Sequence, residues 1–266
     1  MGKLALITGG TSGLGFAYAK ALAAQGYDLI LTGRRKEELK KKSEYLIDLY
    51  HIKVFLCIVD FKDVKAFNRF IDFIQKKPID ILINNAGYGL EKSFIEDKLD
   101  TQLEILQVHV NASVTLAHLV ANNLIQNKKG GAIINVCSLA AYTPLPTSSM
   151  YCGTKGFLIN FSKCLAMELK PYGIKVQALC PGFVHTDFHS RLNIPKEVCK
   201  DKGIIIWATP KEVVEESLQA LKKDQVFLIP GHLNKLAYQL LKFVPNKLYL
   251  DIVSRYSYIF SHKTLD

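Results

Sequence analysis

The stretch Leu4-Ala5-Leu6-Ile7-Thr8-Gly9-Gly10-Thr11-Ser12-Gly13-Leu14-Gly15 decides how the rest of the chain is read. Its four opening residues are apolar without alternation, the pattern of a short strand buried on both faces. They lead directly into a glycine-rich turn. From Phe16 to Ala24 the residues are small or apolar, as in a packed helix that Gly26 ends. A glycine string alone says little. Between a strand and a helix it forms a dinucleotide-binding βα unit, because glycines let the backbone close on a pyrophosphate and the first helical N–H groups point at it. Gly9, Thr11, Ser12, Gly13, Leu14 and Gly15 are the candidate contacts.

The next strand, Asp28 to Thr32, bears on which dinucleotide is bound. A fold that selects NAD places a carboxylate at the end of this strand to hold the ribose hydroxyls. Here Gly33 stands in that place, followed by Arg34, Arg35 and Lys36. A carboxylate would repel a 2′-phosphate, whereas a guanidinium binds it through paired hydrogen bonds, so the pattern indicates NADP. The plainer reading is a solvated helix start, but cations there oppose the macrodipole. After an amphipathic helix from Glu37 to Tyr50, a strand from Val54 to Val59 ends in Asp60-Phe61. Asp60 is placed either to accept from an adenine amino group or to cap the following helix, and both readings stand. A fourth strand, Ile79 to Ile83, leads into Asn84-Asn85-Ala86-Gly87, where small and amide residues let the chain pass close to a ribose. A plain turn is the alternative.

Leu99 to Gln126 reads as one long helix, with Asn111 polar among Val108, Val110, Val114 and Leu116. Asn is unfavourable inside a helix, so it is either bonded to backbone or placed for function. A strand from Ala132 to Cys137 ends at Ser138, which faces the same crevice as the glycine turn. Tyr151 and Lys155 lie four apart on a helix running to Leu169 and share one face. A tyrosine pKa of about 10 makes a poor proton-transfer group near neutrality, and a neighbouring ammonium draws it down toward general acid/base work. Such a pair taken alone is more often a surface pair; its company raises its weight. Tyr142-Thr143-Pro144-Leu145-Pro146 is predicted to wall the substrate site. After a strand from Ile174 to Cys180, the segment Pro181-Gly182-Phe183-Val184-His185-Thr186 turns over the crevice. His185 and His189 read as solvated or structural loop histidines. Residues 187–208 are irregular and apolar and read as a substrate lid. Thr209-Pro210-Lys211-Glu212 starts a helix, and Val226 to Ile229 is the last strand.

The alternation predicts an α/β, Rossmann-type doubly wound, predominantly parallel seven-stranded sheet with helices on both faces. Residues 1–231 form that domain and 232–266 a C-terminal amphipathic extension of it. At 266 residues and 49% hydrophobic content the chain can bury a large core. The net charge of +10 suits an anionic ligand or surface. No arginine-rich stripe interleaves with aromatics, so nucleic acid is not indicated. The six cysteines show no C-x-x-C and no metal-type spacing with His, and read as buried free thiols of a reducing compartment. The first apolar run is too short for a signal-peptide core, and no window reads as approaching the roughly 18 apolar residues of a spanning helix. The expected location is cytoplasmic, with peripheral membrane contact left open.

Taken together these motifs resemble the short-chain dehydrogenases/reductases in their compact form, over about residues 3–231. The resemblance rests on T-G-G-T-S-G-L-G (Thr8 to Gly15), N-N-A-G (Asn84 to Gly87), Asn111, Ser138, Y-C-G-T-K (Tyr151 to Lys155) and P-G-F-V-H-T (Pro181 to Thr186). It implies a catalytic tetrad. Tyr151 gives a proton to a carbonyl oxygen as hydride arrives from a nicotinamide, Lys155 lowers the Tyr151 pKa and bonds the ribose, Ser138 orients the carbonyl, and Asn111 holds a relay water. It also implies NADP(H) as cofactor, contacted further by Arg34, Arg35, Asp60, Phe61, Asn85, Ala86, Gly87, Pro181, Gly182, Val184 and Thr186. A homodimer or homotetramer built on the two long helices is expected from the same resemblance.

Beyond the last strand, Leu233, Leu236, Ala237, Leu240, Leu241 and Val244 recur at helical spacing, as do Tyr249, Ile252, Val253, Tyr256 and Phe260, with Lys235, Lys242, Lys247, Arg255 and Lys263 between them. Packing on its own domain, a membrane surface and a partner interface are the three readings of this tail. Together with the apolar lid it points to a hydrophobic carbonyl substrate: lipid, fatty-acyl or steroid-like. The rival to an enzyme is a non-catalytic NADP(H)-binding redox sensor that acts through a protein partner.

Overall fold

The computed structural model describes residues 2–90, 92–190 and 207–261. Its first half runs β1 (Leu4–Ile7), α1 (Gly13–Ala23), β2 (Asp28–Gly33), α2 (Lys36–Tyr50), β3 (Val54–Ile58), α3 (Val64–Ile74), β4 (Ile81–Asn84). There follow α4 (Leu99–Leu106), α5 (Ala112–Gln126), β5 (Gly131–Val136), α6 (Ser149–Leu169), β6 (Ile174–Leu179), the single turn α7 (Asp187–Ser190), α8 (Pro210–Lys222), β7 (Phe227–Leu228), α9 (His232–Leu241) and α10 (Asn246–Ser261). The seven strands form one sheet in the order β3-β2-β1-β4-β5-β6-β7, and every pair is parallel. The chain order reverses between β1 and β4, the switch point at which the strand ends open a crevice.

The two-residue period of the strands sorts the core into two layers. Ala5 and Ile7 of β1 pack toward α1, α2 and α8 through Leu22, Leu39 and Val213. Leu4 and Leu6 pack the other way, toward α3 and α5 through Phe67, Phe70, Leu116 and Val120. α8 starts on the capping box expected there: Thr209 Oγ1 accepts from Glu212 N–H at 3.3 Å and Glu212 Oε2 accepts from Thr209 N–H at 2.8 Å.

Three expectations need correction, and a fourth goes untested. Leu99–Gln126 is not one uniform α-helix, because a π-helical turn at Gln107–Asn111 separates α4 from α5. That same span is long and apolar enough to cross a membrane by length and composition, contrary to expectation; 44% of its apolar 18-residue window is buried, as suits a helix packed on its own sheet. Cys164 is exposed and Cys57 half-buried, so only Cys137, Cys152 and Cys180 fit the buried-thiol reading among the described cysteines. The proposed lid and Cys199 lie largely outside the described residues, which lack 191–206.

A buried polar chain ties the sheet to its helices. Asn84 Nδ2 donates to Asn135 Oδ1 (2.9 Å) and to Ser113 O (3.1 Å), and Asn135 Nδ2 donates to Ser162 Oγ (2.8 Å), which donates to Leu158 O. Replacing Asn135 by Leu strips Asn84 and Ser162 of a buried partner each. Stability should fall by about 2–4 kcal/mol, read by urea or thermal denaturation.

Candidate active site

The site begins where β1 and β4 end side by side. Thr8 Oγ1 accepts from the N–H groups of Asn85 and Ala86, each at 2.9 Å, while Asn85 Nδ2 donates to Thr8 O (2.8 Å) and Gly9 O (3.1 Å). These bonds fold the glycine turn over the strand ends. Gly9 and Gly13 stand at φ +69° and +55°, where glycine carries no steric penalty. A Cβ on Gly15 would overlap the Gly9 carbonyl and the Asn85 amide, so the first turn of α1 reaches the strand only without a side chain.

A cleft of about 700 Å³ runs across these strand ends. One half is lined by Gly9, Thr11, Ser12, Gly13, Leu14, Gly33, Arg34, Arg35, Asp60 and Phe61, and the middle by Asn85, Ala86 and Gly87. Gly15 lies beneath the loop rather than on the cleft wall. A Cβ at Gly33 would crowd Thr11 Cγ2 at 2.8 Å, so the end of β2 has no space for the carboxylate of an NAD-selective site. The two arginines differ. Arg35 donates to Thr11 Oγ1 (2.9 Å) and Ser12 Oγ (3.1 Å), over the glycine turn, and pairs with Glu38. Arg34 is more exposed and stands 3.7 Å from Asp60. Asp60 does not cap α3, since Asp63 does so by accepting from Ala66 N–H; Asp60 accepts from Lys62 N–H and keeps its place on the cleft. Phe61 is buried against Phe67 and Phe70, so its side chain belongs to the core.

At the other half Ser138, Tyr151 and Lys155 converge. Ser138 lies two residues beyond β5, and its Oγ accepts from Ala140 N–H at 3.1 Å; its side chain also pulls the Tyr151 pKa down. Lys155 is 4% exposed, with Nζ donating to Val136 O at 2.7 Å and lying 5.7 Å from the Tyr151 ring centroid. The pKa expectation needs revision. Burial pushes Tyr151 up to about 12, against the pull of Ser138, and burial pushes Lys155 down to about 8. The tyrosine is therefore held protonated at neutral pH, and the lysine does not offset that burial.

Asn111 is misassigned by the sequence reading. Its side chain is exposed and donates to Gln107 Oε1 at 2.8 Å, away from the cleft. His109 faces the site instead: it is fully buried, 2.9 Å from Thr154 Oγ1 through Nδ1, and accepts from Tyr88 N–H at 3.0 Å through Nε2. Its ring meets that of Tyr151 edge-on at 5.8 Å. Burial, with Lys155 nearby, holds its pKa well below the usual histidine range. Helical arithmetic carried the signal: His109 lies on the stripe of Ile105, Ala112 and Leu116, while Asn111 falls with Gln107 and Thr115.

Pro181 O accepts from Leu139 N–H at 3.0 Å, and Val184, three residues before the expected lid, pairs with Ala208 at its end. Gly182 and Thr186 border the cleft, the Thr186 methyl against Gly13. His185 packs on Trp207 at 5.2 Å between ring centroids, a structural placement. Leu90, Tyr142, Leu145, Phe188, Tyr238 and Leu241 give the open end an apolar wall. Two of these come from α9, and Tyr238 meets Tyr142 at 4.8 Å while Tyr249 donates to Pro144 O at 3.3 Å. The tail thus packs beside the pocket, although Leu236, Leu240 and Phe243 stay exposed.

The family model for short chain dehydrogenases matches residues 3–197. Sulfoacetaldehyde reductase 2 of Chromohalobacter salexigens is 34% identical over 191 residues, 71% of this chain and 75% of that protein. Inactive hydroxysteroid dehydrogenase-like protein 1 of Homo sapiens is 30% identical over 195 residues, 72% of this chain but 59% of that longer protein. Among solved structures, a short-chain dehydrogenase from Sphingobium yanoikuyae in complex with NADPH superposes with a TM-score of 0.80 at 28% identity, covering 92% of this chain and 97% of that one.

The arginine geometry yields a measurable difference. Arg35→Ala should weaken NADPH binding about tenfold or more and NADH binding less than about threefold, by fluorescence titration, because only the former carries the 2′-phosphate. Equal losses would remove Arg35 from that role.

Proposed function

The chain belongs to the short-chain dehydrogenases, and from that premise we propose an NADP-dependent oxidoreductase that reduces a hydrophobic ketone to a secondary alcohol, with Tyr151 as proton donor. One observation carries the reading: Ser138, Tyr151 and Lys155 meet at one end of a cleft whose other end is the glycine turn with Arg35 above it. The glycine cradle, with Gly9 and Gly13 at positive φ on the cleft wall, fits a pyrophosphate. Thr11, Ser12, Arg34 and Arg35 would hold the 2′-phosphate end, Asp60 the adenine, Asn85 to Gly87 and Lys155 a ribose, and Val184 and Thr186 the nicotinamide amide. When bound, NADPH supplies the hydride.

The chain's own groups do the rest. Ser138 and Tyr151 direct two hydroxyls at the carbonyl oxygen, where negative charge develops. Tyr151, protonated at neutral pH, gives up its proton there, and the Lys155 ammonium stabilises the phenolate left behind. The apolar wall of Leu90, Tyr142, Leu145, Phe188 and Tyr238 favours a lipid, fatty-acyl or steroid-like substrate.

The alternative, a redox sensor without turnover, gains weight from a relative whose name marks it inactive. Against it stand Ser138, Tyr151 and Lys155 together in one cleft. For assembly we propose a homodimer or homotetramer through α4–α5 and α6, where Leu103, Phe157 and Met167 are exposed apolar residues.

NADPH oxidation followed with ketones graded by size and chain length tests the reading: turnover should rise with apolar length, and Tyr151→Phe should lose about 100-fold or more while NADPH affinity holds. Tight NADPH binding without turnover on any carbonyl would favour the sensor. The reduction rate should stay level below pH 8 and fall as pH rises through about 8, where Lys155 gives up its charge; a rate that climbs over that range would contradict the assigned role of Lys155.

A further inference from the structure

His109 has no part in the mechanism above, yet it is fully buried against the catalytic turn. We propose that His109 is a positioning residue for Tyr151, locked as the neutral tautomer with its proton on Nδ1, and that it stands where the family resemblance placed Asn111. This rests on the functional reading just given.

The tautomer follows from counting hydrogens. Thr154 has one hydroxyl hydrogen, and Thr154 Oγ1 donates it to Tyr151 O at 2.9 Å. At its 2.9 Å contact with His109 Nδ1 the same oxygen must then accept, so Nδ1 carries the proton. Nε2 faces the Tyr88 N–H at 3.0 Å, a donor with no alternative role there, so Nε2 must accept and stay bare. Both nitrogens are fully used. A second proton would have to displace the Tyr88 N–H in a site without water contact and beside the Lys155 ammonium. The groups facing the ring are Lys155, Tyr151, Tyr88 and Thr154, and none is an acid that would favour an imidazolium.

One imidazole therefore ties two walls of the cleft together. Through Nε2 it holds the chain after β4 at Gly87–Tyr88, where a Cβ on Gly87 would stand 2.9 Å from Nε2 and 3.5 Å from Lys155 Nζ. Through Nδ1 and Thr154 it holds the first turn of α6 at the Tyr151 carbonyl, and its ring edge limits the swing of the Tyr151 phenol. The π-helical turn at Gln107–Asn111 is the local distortion on which this residue is presented, a feature common at functional sites. The imidazole is a fixed strut and does not shuttle protons.

Three variants and one spectrum test this. His109→Asn keeps a donor near Thr154 and loses the acceptor for Tyr88; His109→Gln does the reverse; His109→Ala loses both. All three should lower kcat, the alanine variant by about tenfold or more, with NADPH affinity within about threefold of wild type. The wild-type pH profile should show no limb between pH 5 and 7 belonging to His109. Nitrogen-15 NMR of histidine-labelled protein should show a protonated Nδ1 and a bare Nε2 for the signal that His109→Gln removes. An Nε2–H tautomer, an imidazolium at neutral pH, or variants that lose thermal stability but keep kcat within about twofold would overturn the proposal. The tautomer readout needs no turnover. A wild-type chain inert toward every carbonyl but showing the Nδ1–H signal would sink the functional reading and the positioning role with it, and spare the tautomer.

Discussion

The hydrogen bonds between Thr8 and Asn85 are the constraint on which the site depends. They join the ends of β1 and β4 where the sheet reverses its winding, and they leave the Asn85 amide pressed against the glycine turn. A glycine at position 15 is then a requirement of space, since any side chain would strike that amide and the Gly9 carbonyl. The opening that results is fitted to a phosphate group approached by backbone N–H donors. The buried chain Asn84–Asn135–Ser162 continues the same stitching toward β5 and α6 and so fixes the distance from the glycine turn to the catalytic helix.

Burial sets the chemistry at the far end of the cleft. Burial raises the pKa of Tyr151 and lowers that of Lys155, so the two move apart. A tyrosine that keeps its proton suits reduction, in which the first demand is for a proton donor. A lysine near 8 remains cationic at neutral pH while losing charge within reach of ordinary conditions. The apolar surroundings that cause both shifts are also those that would exclude water from a reacting carbonyl.

Much of this was legible in the residues. The strand–turn–helix opening, the β–α alternation and the Tyr151–Lys155 spacing depend on local periodicity and on glycine, and they reappear in the structure with strand and helix ends moved by a few residues. What was not legible depends on direction. Arg34 and Arg35 are adjacent, and only the extended backbone at Arg35 (φ −88°, ψ 92°) turns that side chain onto Thr11 and Ser12. Asn111 drew attention because it is polar among valines, yet its place on the helix puts it with Gln107 on the outer face, and His109 two residues earlier points inward. The pKa of Tyr151 escaped because the lysine is visible in sequence and the burial is not.

The most direct test is a transfer experiment. The protein would be incubated with NADPH carrying deuterium on the transferring face of C4, in separate runs for the two faces, and a long-chain ketone, and the alcohol analysed by mass spectrometry. The structure predicts deuterium at the carbinol carbon for one face only, delivered about 100-fold or more slowly by the Tyr151→Phe protein. NADPH bound tightly with no label delivered to any carbonyl would contradict the assignment of this cleft as a reductase site.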